Sequence, residues 1–163
     1  MGLLCAGCFG GSAQPPSDPH LGVEATFPAG WSVRWRPCRA CVDPRGIFEA
    51  ASYRTAERGR GLVCSAVPDG EVVLSLDEVL PGPLGNQAPA RGDYPPRPGS
   101  FRIGTLARLQ VFEGCDAARS RLLRFRDSGR LLYAWAVFGA HPSREVRARA
   151  EAMLNSLRIA PLS

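Results

Sequence analysis

Residues 123–138 read LRFRDSGRLLYAWAVF and carry the clearest structural pattern of the chain. Leu123 and Phe125 alternate with arginines, and Asp127-Ser128-Gly129 supplies residues that favour a tight turn. The returning stretch, 131–138, is apolar at every position, so both of its faces are expected to be covered. The pattern predicts an antiparallel hairpin whose second strand is central in a sheet.

An amphipathic helix is predicted directly after this hairpin. Pro142 and Ser143 are typical of a helix start, and Glu145 suits the first turn. One apolar stripe then recurs at spacings of three and four residues: Val146, Ala150, Met153, Leu154 and Leu157. Ala134 and Ala136 in the preceding strand are small enough for this helix to pack closely on the sheet.

Shorter alternating stretches predict further strands toward the N-terminus. Residues 21–27 and 31–36 alternate apolar and polar side chains around Pro28-Ala29-Gly30, which predicts a second hairpin with its tryptophans and Val33 toward the core. Additional strand candidates are residues 47–53, 62–67 and 71–76. A chain of 163 residues fits one domain. We therefore expect a single α+β domain over residues 21–163, with a twisted antiparallel β-sheet flanked by helices.

The first residues contain a candidate lipid-anchor site. Cys5-Ala6-Gly7-Cys8 resembles the lipobox of bacterial lipoproteins, in which the signal is cleaved before a cysteine that then carries acyl chains. The resemblance implies that residues 1–7 are the remnant of a signal peptide and that Cys8 is lipidated. The apolar stretch before Cys8 is short and lacks a basic residue, so we expect the true start to lie upstream.

Residues 8–20 are predicted to be a disordered tether between lipid and domain. They are rich in Gly, Ser and Pro and show no apolar periodicity. Together with the lipobox, this segment predicts a lipid-anchored protein on the extracytoplasmic face of the cell membrane.

Three segments resemble PsbP-like domains. These are the Phe27-Pro28-Ala29-Gly30-Trp31 turn, the unit from Gly129-Arg130-Leu131 to Phe138-Gly139, and the helix end Met153-Leu154-Asn155-Ser156-Leu157. Cys41-Val42-Asp43-Pro44 and Pro95-Pro96-Arg97-Pro98 further resemble uncharacterised exported proteins of high-GC Gram-positive bacteria. The resemblance implies a PsbP-like sandwich and a binding or assembly role, because the fold hosts unrelated functions and carries over no catalytic residue.

Four cysteines remain once Cys5 and Cys8 are assigned to the anchor: Cys38, Cys41, Cys64 and Cys115. Outside the cytoplasm four thiols predict two structural disulfides, for which three pairings exist. We favour Cys41–Cys64, which leaves Cys38 with Cys115.

The same thiols allow two alternative interpretations. Cys38-Arg39-Ala40-Cys41 has the spacing of a redox motif, and Arg36 and Arg39 would lower a thiol pKa. Such motifs usually open a helix after a strand, whereas here prolines stand on both sides at Pro37 and Pro44. A zinc site is disfavoured because only one Cys-x-x-Cys pair is present. An extracytoplasmic thiol-disulfide protein using Cys38 and Cys41 is thus the alternative function.

The charge pattern does not favour nucleic acid as a partner. The formal net charge is +5, and all 20 basic residues are arginines scattered over different predicted elements. A nucleic-acid surface more often gathers basic and aromatic residues on one face. His20 and His141 have no nucleophile nearby in the pattern, so the sequence predicts no catalytic triad and identifies no metal, cofactor or small-molecule site.

The segment from Leu80 to Ser100 is the candidate binding loop. It contains six prolines and four glycines, and Tyr94-Pro95-Pro96-Arg97-Pro98 is its stiffest part. Prolines fix an extended backbone in advance, and Tyr94 and Arg97 are residue types that often anchor interfaces. The alternative is that the segment covers the edge of a strand. The function predicted from sequence is a non-enzymatic binding or assembly module that contacts a protein partner in the envelope.

Overall fold

The computed structural model describes residues 20–35, 44–55, 67–80, 93–105, 107–108 and 119–161. In chain order the elements are β1 (Val23–Glu24), β2 (Ser32–Trp35), β3 (Arg45–Ala51), β4 (Val72–Val79), a 3-10 turn (Ile103–Thr105), β5 (Ala107–Arg108), β6 (Ser120–Asp127), β7 (Arg130–Phe138), helix α1 (Arg144–Asn155) and β8 (Arg158–Ile159). Six strands form one antiparallel sheet in the order β2-β3-β4-β7-β6-β5. β1 and β8 form a second, two-stranded sheet.

The predicted hairpin of residues 123–138 is confirmed as β6 and β7. The two strands pair from Ser120 opposite Val137 to Asp127 opposite Arg130. Ser128 and Gly129 join them with φ angles of 51° and 78°. Positive φ at both central residues is the type I′ geometry that matches the twist of a two-residue hairpin. β7 lies between β4 and β6, as expected for the central strand.

Helix α1 and one face of the sheet enclose the main core. The helix begins after Ser143, whose hydroxyl accepts a 3.1 Å hydrogen bond from the Val146 N–H, so the predicted cap is confirmed. Its buried side chains join those of the strands in one cluster, which includes Phe48, Leu74, Leu76, Phe125, Leu132, Ala134, Ala136, Ala150, Met153 and Leu154. Fully burying a leucine- or phenylalanine-sized side chain stabilises a fold by about 1.5–3 kcal/mol.

The predicted hairpin of residues 21–27 and 31–36 is wrong. A turn is present, with the Trp31 N–H bonded to the Pro28 carbonyl at 3.3 Å, but β1 and β2 belong to different sheets. β1 pairs with β8 and β2 with β3, because alternation indicates a half-buried strand without specifying its partner. Val33, expected in the core, is 38% exposed, since β2 is the first strand in the sheet order.

A buried ion pair fastens the small sheet to the large one. Arg130 donates to both carboxylate oxygens of Glu78 at 2.8 Å, and the two side chains are only 2% exposed. The same guanidinium donates to the Leu21 carbonyl at 2.8 Å and to the Ala160 carbonyl at 3.3 Å. Leu21 and Ala160 flank β1 and β8, so one arginine of β7 ties both ends of the described chain to the sheet.

The predicted antiparallel sheet is confirmed, but the flanking helices are fewer than expected. In the described residues the only helical elements are α1 and the turn Ile103–Thr105, both on the main-core side. None of the helices in these ranges has the length and apolarity needed to cross a membrane. The predicted strand at 62–67, apart from Val67, and the predicted tether, apart from His20, lie outside the described residues.

Candidate functional site

Residues 95–97 run alongside β6 and cover part of its outer edge. The Arg97 N–H donates to the Arg126 carbonyl at 3.0 Å, and the Arg126 N–H donates to the Pro95 carbonyl at 2.8 Å. Pro96 thereby forms a parallel bridge with Arg126, whereas β5 pairs with β6 further along, at Arg121 and Leu122. Proline has no backbone N–H to donate. It is therefore tolerated at the edge of a sheet, where the outer row of backbone groups has no strand partner.

The side chain of Arg97 is held by two partners. Its Nη1 lies 3.0 Å from Oδ2 of Asp127, and its guanidinium lies 5.4 Å from the centroid of the Phe101 ring. Phe101 is 1% exposed and meets Phe125 edge to face at 5.4 Å. The ion pair and the ring together fix this segment against the hairpin.

Helix α1 holds the continuation of the segment by its backbone. Asn155 accepts from the Phe101 N–H at 2.7 Å and donates to the Phe101 carbonyl at 3.3 Å. One turn earlier, Glu151 accepts from the Ile103 N–H at 2.9 Å. Residues 95–103 are therefore fastened to both the sheet and the helix, which gives a preorganised wall.

A groove of about 480 Å³ lies between this wall and the turn of the hairpin. It is lined by Pro96, Arg97, Arg126, Asp127, Ser128, Gly129 and Leu131. Arg126 is exposed, and so is Arg124, which the two-residue period of a strand places on the same face. In the part of the chain that the structure describes, neither of these two guanidinium groups has a hydrogen bond or an ion pair.

Arg124 and Arg126 carry like charges on one face of β6. The Cα atoms of alternate residues in a strand are about 7 Å apart, and two like charges at that separation in water would repel by about 0.6 kcal/mol. Asp127, the nearest acid along the chain, also lines the groove, but its carboxylate already accepts from Arg97 at 3.0 Å and contacts the Ser128 hydroxyl. The groove therefore presents a cation that no described carboxylate neutralises.

Of the two predicted binding residues, Arg97 lines this groove, whereas Tyr94 is buried and is not among the lining residues. Tyr94 is 4% exposed, and the Arg97 side chain is 24% exposed and paired. That they contact a partner stays a prediction. Arg126 was not predicted from the sequence, because Arg124 and Arg126 have the pattern of the ordinary solvent side of an amphipathic strand. The sequence does contain an indication of this site: two arginines share one strand face, and no acid lies between them on that face.

A second polar group lies on the sheet face opposite α1. The Ser75 hydroxyl donates to Oδ2 of Asp77 at 2.8 Å, and Glu49 pairs across the strands with Ser75. Burial raises the pKa of Asp77 to about 7; the hydrogen bond from Ser75 lowers it and the charge of Glu49 raises it further. Within the described ranges no three His, Cys, Asp or Glu side chains come together as metal ligands. What distinguishes this group is the raised pKa of Asp77.

The cysteine predictions cannot be placed on this fold. Cys8, the predicted lipidation site, lies outside the described residues. So do the four disulfide candidates, Cys38, Cys41, Cys64 and Cys115. Lipidation, the disulfide pairing and the redox alternative stay predictions.

Comparisons of the chain with known protein families, with characterised proteins and with solved structures give no match. The groove is accordingly interpreted from its own residues. Two of its properties bear on function: the preorganised wall of residues 95–103 and the unneutralised cation of Arg126.

Proposed function

We propose that this protein is an extracytoplasmic lipoprotein, held at the membrane through Cys8, whose domain is a non-enzymatic binding or assembly module. The groove beside residues 95–98 is its binding surface. The observation that carries the proposal is the exposed Arg126 guanidinium next to a wall fixed by the Arg97–Asp127 ion pair. A wall that is ordered before contact loses little entropy on binding.

The domain is further proposed to be a PsbP-like sandwich. Two residues of the resembling segments have structural roles that support this. Gly129 has a φ angle of 78° in the hairpin turn, a conformation that glycine adopts without strain. Gly139 lies so close to the turn at residues 68–71 that a Cβ added there would be 1.7 Å from the Pro68 carbonyl oxygen. At both positions the backbone conformation or the close backbone contact favours glycine, as expected for residues with a structural and not a catalytic role.

The lipid anchor is tested by metabolic labelling. The gene is expressed from its own upstream region in a Gram-positive host fed with an alkyne fatty acid, and the purified protein is analysed for incorporated label. We expect label in the wild-type protein and in Cys5→Ser, and none in Cys8→Ser. Equal labelling of Cys8→Ser, or an unlabelled wild-type protein, would reject the anchor.

The groove is tested by photo-crosslinking in intact cells. A photoreactive amino acid is placed at position 96, which is exposed and lines the groove, or at position 152, an exposed position of α1 on another surface, so that Arg126 is kept in both proteins. Binding in the groove predicts a discrete crosslinked species from position 96 that position 152 does not give. The same species from both positions, or none from position 96, would reject the groove as the binding surface.

A further inference from the structure

We infer that Arg124 and Arg126 form a binding site for a phosphate ester, with one guanidinium on each side of the phosphate group. The inference deepens the proposed function, since it names the chemistry that the groove recognises. The two residues are exposed and lie on one face of β6.

The pairing of β6 with β7 determines what surrounds the two arginines. Arg124 lies opposite Tyr133, and Arg126 lies opposite Leu131. On the same face the next strand, β4, places Asp77 opposite Tyr133 and Val79 opposite Leu131. Arg126 thus lies beside Leu131 in the groove. Tyr133 of β7 separates Arg124 from Asp77 of β4.

The chemistry of arginine suits a phosphate group, and not a neutral ligand, at this position. A guanidinium presents a planar fork of N–H donors that matches two phosphate oxygens, and two arginines whose Cα atoms are about 7 Å apart can direct one fork to each side of a phosphate group. A bound dianion or monoanion would also relieve the repulsion between the two cations.

Neighbouring acids do not compete for these donors. Asp127 lines the groove, but its carboxylate is bound by Arg97 at 3.0 Å. The single proton of the Ser128 hydroxyl is shared between Asp127, at 3.1 Å, and the Ile159 carbonyl, which lies closer at 2.7 Å. Asp77 is two strands away from β6 and hydrogen-bonded to Ser75.

Two sources supply a phosphate ester of this kind: the headgroup of an anionic phospholipid and a soluble phosphate ester. Both are tested on the full chain with Cys8→Ser, so that no acyl chain contributes and the result does not depend on the proposed lipid anchor. One arm measures co-sedimentation with vesicles of phosphatidylglycerol and phosphatidylcholine in equal parts. The other measures chemical-shift changes on titration with glycerol 1-phosphate.

The decisive variant is Arg124→Ala/Arg126→Ala, and its matched control is Arg54→Ala/Arg144→Ala. The control removes the same charge from two exposed arginines elsewhere on the molecule. We expect the groove variant to bind about tenfold more weakly in at least one arm, with an unchanged melting midpoint, and the control to bind within about twofold of the parent. Arg124→Lys/Arg126→Lys keeps the charge and is expected to lose most of the affinity, because an ammonium lacks the fork.

The outcomes distinguish the sources and the failures. Loss confined to the vesicle arm identifies a lipid headgroup, and loss in the glycerol 1-phosphate arm identifies a soluble ester. A parent protein that binds neither probe overturns the inference, as does an equal loss in the Arg54/Arg144 control. Full binding by the lysine pair would also overturn it, since general surface charge would then suffice.

Discussion

Asp77 and Glu78 are neighbours on β4, yet their carboxyl groups lie on opposite faces of the sheet and their pKa values are shifted in opposite directions. Burial raises the pKa of Asp77 to about 7. Burial also favours a raised pKa at Glu78, but the hydrogen bonds and charges of Arg130 and Arg45 outweigh it and hold this pKa below its ordinary value. One strand therefore carries a carboxyl group that favours its proton and another that favours its charge.

Asp77→Asn is expected to change how the free energy of unfolding depends on pH. In the wild-type protein the folded state holds a proton that the unfolded state releases above the ordinary pKa of 3.8. The free energy of unfolding therefore declines as the pH rises from about 4 to about 7. Asparagine does not titrate, so this decline should disappear in the variant. Urea melts between pH 4 and pH 8 measure the effect, and parallel curves for the two proteins would contradict it.

Glu78→Gln is expected to lower the free energy of unfolding by about 3–5 kcal/mol at pH 7, because it leaves the buried Arg130 guanidinium without its charge partner. Since the folded pKa of Glu78 lies below its ordinary value of 4.5, the stabilisation is present above that value and is lost as the pH falls through the folded pKa. The difference between wild type and variant should shrink in acid. Asp127→Asn is the control, since it breaks a partly exposed pair worth about 0–1 kcal/mol. Equal effects of the two changes in urea melts would contradict the central place of the Glu78–Arg130 pair.

Trp135→Ala is expected to lower the free energy of unfolding by about 3–5 kcal/mol, the range for truncating a large buried aromatic. Trp135 is 7% exposed and belongs to a second apolar cluster with Ala51, Val73 and Val137, on the face of the sheet opposite α1. Val33→Ala is the control. Because Val33 is 38% exposed, this substitution should lower the free energy of unfolding by well under 1 kcal/mol. A loss below about 1 kcal/mol for Trp135→Ala in a denaturant melt would show that this second cluster contributes little.

The parts of the fold that were predictable are those defined by neighbouring residues. The hairpin of β6 and β7 depends on a two-residue turn and on alternation over adjacent strands, and α1 depends on a cap and an apolar stripe. The pairing of β1 with β8 joins Val23 to Ile159 across the whole domain, and each strand has only two residues. No local pattern specifies such a contact.

The site was predictable only in part, for a related reason. The prolines of residues 95–98 identified a stiff segment, and the structure places it beside β6. The identity of its neighbours depends on tertiary contacts, so Arg97 turned out to be paired with Asp127. The exposed cation is instead Arg126, contributed by the strand that the segment covers. Sequence composition had made the arginines look scattered, although Arg124 and Arg126 lie two residues apart on one strand; the register of β6 adds which residues surround them.

Gly139→Ala is expected to lower the free energy of unfolding by about 2–3 kcal/mol, near the upper end of the cost of overpacking. An added Cβ would lie 1.7 Å from the Pro68 carbonyl oxygen and 2.7 Å from the Pro68 carbonyl carbon. Both atoms belong to the backbone, so no flexible side chain can move aside. The turn is also held in place, since the Gly139 N–H donates to the Glu71 carbonyl at 2.9 Å and the Gly70 N–H donates to the Ala140 carbonyl at 2.7 Å.

Gly99→Ala is the matched control for this prediction. Nothing lies within 4 Å of a Cβ added at Gly99, and its φ angle is not in the left-handed region. The control should therefore stay within about 0.5 kcal/mol of the wild-type protein, or gain slightly because alanine restricts the unfolded chain. Urea melts of the two variants at one pH compare them directly. If Gly139→Ala is as stable as Gly99→Ala, the turn at residues 68–71 can move away from β7, and the close approach at Gly139 does not constrain the fold.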